Sequence, residues 1–359
     1  MKWIKNYLVL AVLFITAVGF SIIKLQDTAF IRSQYTTQGI RFKAEGITKK
    51  DIKTALDNEK SRGAKMLPEI TAWTQLGEEE VMNRSLKRTA KVPIQLVAGD
   101  MSLTTPATLR FGNYVYQEDS KGCIIDTDTA FQLYGTENAV GNIIFCQNKD
   151  YYIRGVVKSL RPVIITTGDD SIKYVNLEFL YPENGKEQGE ALAQDFLLQN
   201  GFFQEYMIND SYFYGRLMNS WLSMPIWIFY LILCYFLIRY LLIDYAWKNK
   251  SVRKLNRILY SIIAFLSIIG YGIMLYQYTG NPFYIPSKFM PTKLSDFNYW
   301  SEQIQGIREQ LQQLQYIIPN AKDVFLINEL LKLPLNIMIM FLLYLSFLID
   351  LRSLQKNKR

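Results

Sequence analysis

The sequence predicts a helical membrane protein of four transmembrane helices, with one large α+β domain outside the bilayer between the first two. Three observations predict it. Four apolar runs are long enough to cross a bilayer, lysine and arginine crowd beside them in one consistent pattern, and the stretch 25–218 alternates strand and helix signals. The composition agrees with such a mixture. The 359 residues are 50% hydrophobic and 20% charged, with a formal net charge of +8. The mean hydropathy of +0.02 averages apolar spans with a polar domain large enough to bury its own core.

A helix needs roughly 20 apolar residues to cross the hydrocarbon layer. The first run, Tyr7 to Ile23, defines a segment 1–24. Ala17-Val18-Gly19 resembles a signal-peptide cleavage site, but the apolar run continues through Phe20, Ile22 and Ile23 and is read as an anchor. The second run, Trp221 to Ile238, is entered through Met224-Pro225 and lies within 219–243. The third, Ile258 to Tyr276, defines 258–276. The fourth, Leu335 to Ile349, lies within 334–351 and follows Leu333-Pro334, since a first helical turn tolerates proline.

Lysine and arginine bias sets the orientation. Lys2 and Lys5 precede the first span. Arg239, Lys248, Lys250, Arg253, Lys254 and Arg257 lie between the second and third, mostly in the loop 244–257. Arg352, Lys356, Lys358 and Arg359 form the tail 352–359. All three clusters fit the cytoplasm only if both termini are inside and segments 25–218 and 277–333 are outside. Positive charge placed this way serves topology, and nucleic acid is not an expected partner. No ionisable residue lies well inside a span, which argues against a proton or ion relay.

Within 25–218, Thr48 caps a predicted helix that includes Ile52 and Leu56. Glu69 to Trp73, Val92 to Val97, Gly122 to Asp126 and Tyr174 to Tyr181 read as strands. Asp126 or Thr127 caps a helix over Thr129 to Tyr134, ended by Gly135. Asn142 to Cys146 and Tyr151 to Val157 form a hairpin about Gln147-Asn148-Lys149-Asp150, and Glu187 to Leu198 is a helix closed by Asn200-Gly201. The run Glu78-Glu79-Glu80 reads as a solvated helix face, and Asp169-Asp170 as a solvated turn.

The segment 277–333 opens with an aromatic loop, Gly280 to Pro286, suited to a membrane surface. A helix starts at Ser295 or Asp296. Trp300, Ile304, Ile307, Leu311 and Leu314 recur at alternating spacings of four and three, an a/d seam. The seam either packs on the outer domain or a neighbouring helix, or meets a partner chain. Pro319-Asn320 ends this helix, and Val324 to Leu331 makes a second, short one.

The chain has no histidine and no Gly-rich phosphate loop, and no nucleophile–base pair stands out. No catalytic, cofactor or metal site is expected. Cys123 and Cys146 fall in the outer domain, where they form either a disulfide or two buried thiols. Cys234 sits in a span.

The run of Gly99-Asp100, Leu109-Arg110-Phe111-Gly112, Gly122-Cys123-Ile124-Ile125-Asp126, Ala130 to Gly135, Val140-Gly141-Asn142 and Tyr152 to Val157, in this order, resembles the extracytoplasmic core domain of MacB-type ABC transporter permeases. That group includes macrolide-exporter, lipoprotein-release and FtsX-like proteins. The topology of one helix, a large domain and three helices is similar too. The resemblance implies a non-enzymatic, permease-like subunit that relays ATP-driven motion to its outer domain. It further implies a separate ABC ATPase and a second permease chain, as homo- or heterodimer. Lys248, Lys250, Arg253 and Lys254 would lie on the ATPase-facing loop. This loop lacks the Glu-Ile-Gly step of the family's coupling helix, so a non-transporting scaffold or sensor is the alternative function class. A reporter fused near residue 150 is expected to read out as extracytoplasmic; cytosolic activity would overturn the topology.

Overall fold

The structure, a computed structural model, describes residues 2–116, 118–239, 254–286, 290–291, 293, 295–316 and 320–356. Helix α1 spans Lys2–Gln34. Strands β1 (Gln38–Phe42) and β2 (Ile47–Thr48) lead into α2 (Lys49–Ser61). Then come β3 (Glu69–Asn83), β4 (Arg88–Ala98), β5 (Ala107–Gly112), β6 (Gly122–Asp126) and α3 (Thr127–Tyr134). Next are β7 (Ile143–Cys146), β8 (Lys149–Ser159), β9 (Ile164–Thr167), β10 (Lys173–Tyr174), β11 (Asn176–Leu180), α4 (Gly189–Gln199) and β12 (Tyr206–Asn209). Four helices close the chain: α5 (Ser211–Ile238), α6 (Lys254–Thr279), α7 (Phe297–Tyr316) and α8 (Ala321–Lys356).

The chain divides into two units. A membrane unit comprises Met1–Ser33, Gly215–Thr292 and Glu329–Arg359; an α+β unit comprises Gln34–Tyr214 and Lys293–Asn328. Among the described residues, four helices are long and apolar enough to cross a membrane: Leu8–Gln34, Ser211–Ile238, Ile258–Thr279 and Ala321–Ser353. Three extend well beyond their apolar runs because polar groups stabilise the extra turns. The Lys24–Asp27 ion pair, at 2.7 Å, bridges one turn of α1. Asp210 accepts from the Phe213 amide at 3.1 Å and starts α5 ten residues before Trp221. Pro225 and Pro334 therefore lie inside helices, not at their starts as the sequence suggested. The separate short helix expected over Val324 to Leu331 is instead the beginning of α8. Proline removes one backbone hydrogen bond, a loss that packed membrane helices tolerate.

The membrane unit packs around aromatic rings. Phe229 of α5 stacks on Tyr344 of α8 at 4.1 Å and 6°, and Ser21 of α1 shares a 2.7 Å hydrogen bond with the Tyr344 hydroxyl. Trp227 Nε1 donates to Thr279 Oγ1 at 2.9 Å. Such interhelical hydrogen bonds suit a medium that offers no water.

The α+β unit is a mostly antiparallel sheet in the order β12-β1-β11-β3-β4-β9-β6-β8-β5, with β7 pairing β3 and β8. Alternation along the strands serves two apolar clusters. Ala72, Cys123, Ile125, Leu177 and Phe179 join one cluster, which includes residues of α2, α3 and α4; Trp73 and Ile124 join the other. The expected caps are present. Thr48 and Asp51 form a reciprocal capping box, Asp126 accepts from the Asp128 and Thr129 amides, and Gly135, at φ 74°, ends α3 in the left-handed conformation. The hairpin turn is the two residues Gln147-Asn148, both at positive φ, which matches the twist of the flanking strands.

Two further sequence expectations are corrected. Glu78-Glu79-Glu80 lies in a strand, not a helix: β3 continues past a bulge after Gln75 and pairs Glu80 with Lys91. Tyr174 to Tyr181 divides into β10, which pairs β2, and β11 of the main sheet. Strands β1, β2, β5, β9 and β12 were not anticipated.

Candidate functional site

Ile40 and Phe42 of β1 face the helix-covered cluster, so Arg41 between them points to the other side of the sheet. The same alternation turns Glu178 of β11 away from Leu177 and Phe179. Arg41 and Glu178 thus meet on one face, where Lys322 and Asp323 from the first turn of α8 join them. The four side chains have relative exposures of 1, 0, 1 and 3%.

The cluster is closed. Arg41 Nε and Nη2 donate to Asp323 at 2.8 and 3.0 Å, Nη2 also to Glu178 at 2.7 Å, and Nη1 to the carbonyls of Ile40 and Leu177, both at 3.2 Å. Those bonds use the whole donor capacity of a guanidinium. Lys322 Nζ donates to Glu178 Oε2 at 2.8 Å, Thr37 Oγ1 at 3.1 Å and the Leu103 carbonyl at 2.7 Å. Thr37 Oγ1 in turn donates to Glu178 at 2.5 Å. Asp323 also accepts from Asn209 and Asn320, both at 2.5 Å, while its amide donates to Asn320 Oδ1 at 2.7 Å. Asn320 and Asp323 therefore form the reciprocal cap of α8, with a carboxylate at the favourable end of the helix dipole.

Neighbours shape the pocket around these charges. The Arg41 guanidinium lies 5.3 Å from the Trp73 ring centroid. A Cβ at Gly39 would meet Arg41 Nη1 at 2.8 Å, so any larger residue there would have to displace the guanidinium. Burial alone would raise the Glu178 pKa, but Lys322 and Arg41 outweigh burial and hold it down at about 2, from an ordinary 4.5. Burial would lower the Arg41 pKa; Asp323 and Glu178 reverse this and raise it. Glu178 and Arg41 are thereby held in their charged forms. With its donors committed, the cluster presents no free donor to a ligand. What it does is fasten the first turn of α8 to β1 and β11.

Helix α7 adds a second attachment. Gln310 Nε2 donates to the Ile208 carbonyl on edge strand β12 at 2.6 Å, and the Tyr214 hydroxyl donates to Gln310 Oε1 at 3.0 Å. At one end of the predicted seam, Leu314 is buried with Met207 and Ile327, and Leu311 packs against them. At the other end Trp300 and Ile307 are half-buried and Ile304 is 62% exposed. Cys123 and Cys146 are free and buried. They sit on strands to either side of β8, and such strands lie about 9–10 Å apart, beyond the roughly 7 Å Cα limit of a disulfide. Lys248, Lys250 and Arg253 lie outside the described residues, and Lys254 is the first residue of α6. Among the described residues no group of acids, cysteines or histidines could hold a metal ion.

Sequence reasoning passed over all four members of the cluster. The signal was nonetheless present: Ile40-Arg41-Phe42 and Leu177-Glu178-Phe179 each set one charge, of opposite sign, between two apolar residues in a strand.

Two solved structures resemble part of this chain. The extracellular domain of the ABC-type transporter YknZ from Gram-positive bacteria aligns with 48% of this chain and 99% of its own, at 14% identity and a TM-score of 0.37. The periplasmic region of MacB from Actinobacillus actinomycetemcomitans aligns with 50% of this chain and 90% of its own, at 12% identity and a TM-score of 0.38. No known protein family and no curated protein matches the sequence.

Removing one member should be costly and removing a balanced pair much less so. Lys322→Met is expected to destabilise the α+β unit by about 3–5 kcal/mol, because a buried carboxylate loses its partner. In Lys322→Met/Glu178→Leu, Arg41 and Asp323 remain paired, and most of that loss should be regained. Thermal unfolding of the full chain, followed by tryptophan fluorescence, reads the difference.

The depressed pKa of Glu178 fixes the pH response. A carboxylate with a lowered folded-state pKa stabilises the fold above its unfolded pKa and loses that contribution as pH falls. Wild-type stability should fall between pH 4.5 and about 2. Glu178→Gln should start lower and lack this component. Parallel pH profiles would refute the role given to Glu178.

Proposed function

We propose that this chain is a permease-like membrane subunit of an ABC-type export or extraction assembly, working by mechanical transmission. The observation that carries the reading is the buried ion cluster at the start of α8. That helix begins as part of the α+β unit and continues without interruption to Lys356. A displacement of the membrane span is thereby delivered to β1 and β11, and four saturated charges resist slippage better than a sliding apolar contact would.

In this reading both termini and the loop 244–257 face the cytoplasm, and the α+β unit faces outward and engages a substrate or partner protein. A separate chain hydrolyses ATP, and a second permease chain, identical or related, completes the assembly. The motif order quoted above and the helix–domain–three-helix topology support this reading.

The missing Glu-Ile-Gly step between the second and third spans favours one other reading, a membrane scaffold or sensor with no coupled ATPase. Affinity purification of the full chain in mild detergent separates the two. Recovery of an ABC ATPase is expected, and Arg253→Glu combined with Lys254→Glu should reduce it severalfold. Recovery unchanged by the charge reversal would rule out this loop as the docking surface. Absence of any ATPase from the wild-type sample would favour the scaffold.

A further inference from the structure

The aromatic packing between α5 and α8 opens, toward the C-terminal ends of both helices, into a groove of about 330 Å3 lined by Leu231, Ile232, Tyr235, Phe236, Leu348 and Arg352. This volume falls within the roughly 300–1,000 Å3 of small-molecule sites. The same two helices are held together by stacked rings, Phe229 on Tyr344 and Phe347 edge-on to Phe229 at 5.8 Å. The lining is apolar and aromatic except for one guanidinium.

We infer that this groove is a site for one anionic phospholipid, its acyl chain along the apolar wall and its phosphate on Arg352. Three features identify the ligand. Both helices are long and apolar enough to cross a membrane, so acyl chains surround the groove. Arg352 has no ion pair or hydrogen bond among the described residues, and Asp350, two positions back, does not share its helix face. A guanidinium matches a phosphate with two parallel hydrogen bonds, and it disfavours the ammonium of a zwitterionic headgroup close by. Arg239, directly after α5, adds positive charge at this end. Basic pockets between transmembrane helices select anionic headgroups on these grounds. The inference does not depend on the chain being a transporter subunit.

The test is native mass spectrometry of the full chain in neutral detergent, titrated with phosphatidylglycerol, phosphatidylcholine or inorganic phosphate, alongside thermal unfolding. One phosphatidylglycerol per chain should be retained about fivefold more strongly than phosphatidylcholine, the preference that one basic residue near an anionic headgroup supplies. Arg352→Gln should abolish the preference. Leu348→Trp, which fills the groove and leaves the charge in place, should weaken retention of both lipids. Equal retention of the two lipids, or a preference that survives Arg352→Gln, would overturn the site. So would stabilisation by inorganic phosphate equal to that by phosphatidylglycerol, or a stable dimer that excludes lipid and is lost in Leu348→Trp.

Discussion

Two basic and two acidic side chains, buried together, form the interaction that the rest of this structure relies on. Taking even one charge out of water costs several kcal/mol, and the attraction between opposite charges offsets this only where every remaining donor and acceptor is satisfied. Arg41, Glu178, Lys322 and Asp323 meet that condition through Thr37, Asn209, Asn320 and the carbonyls of Ile40, Leu103 and Leu177. A one-residue slip of β1 against β11 would send Arg41 into the apolar cluster under the helices. The register of the sheet and the seating of α8 are thus mutually dependent.

The arrangement trades stability for specificity. Apolar residues in the same place would hold α8 at least as firmly, but they would accept neighbouring registers. Charges of fixed geometry accept one. For a helix that passes from a folded unit into a membrane span, a single permitted seat is the useful property.

Much of the fold was legible in the sequence because its signals are local. Apolar runs marked the four spans, Thr48 and Asp126 marked helix starts, and Gly135 marked a helix end. The failures share one cause, pairing between distant segments. Glu78 to Glu80 is a strand because Lys91 to Pro93 lies opposite. The short β12 becomes a strand only beside β1. Pro225 and Pro334 looked like boundaries because a proline's local effect is to stop helices, and only packing overrides it. The ion cluster was hidden for the same reason: Arg41, Glu178 and Lys322 are far apart in sequence, and each alone reads as an ordinary surface charge.

The α+β unit is assembled from two stretches, 34–214 and 293–328, separated by membrane helices. A growing chain therefore contains every strand of the sheet before the residues of α7 and α8 that pack on it exist. At roughly 5–20 residues per second, synthesis of the intervening chain takes on the order of ten seconds. Throughout that interval Glu178 waits without Lys322, the Arg41 pocket stands open to water, and the β12 edge lacks the cover of α7. Chain order alone thus makes the 320–323 turn the last part of the ion cluster to be synthesised, after every strand of the sheet that it fastens.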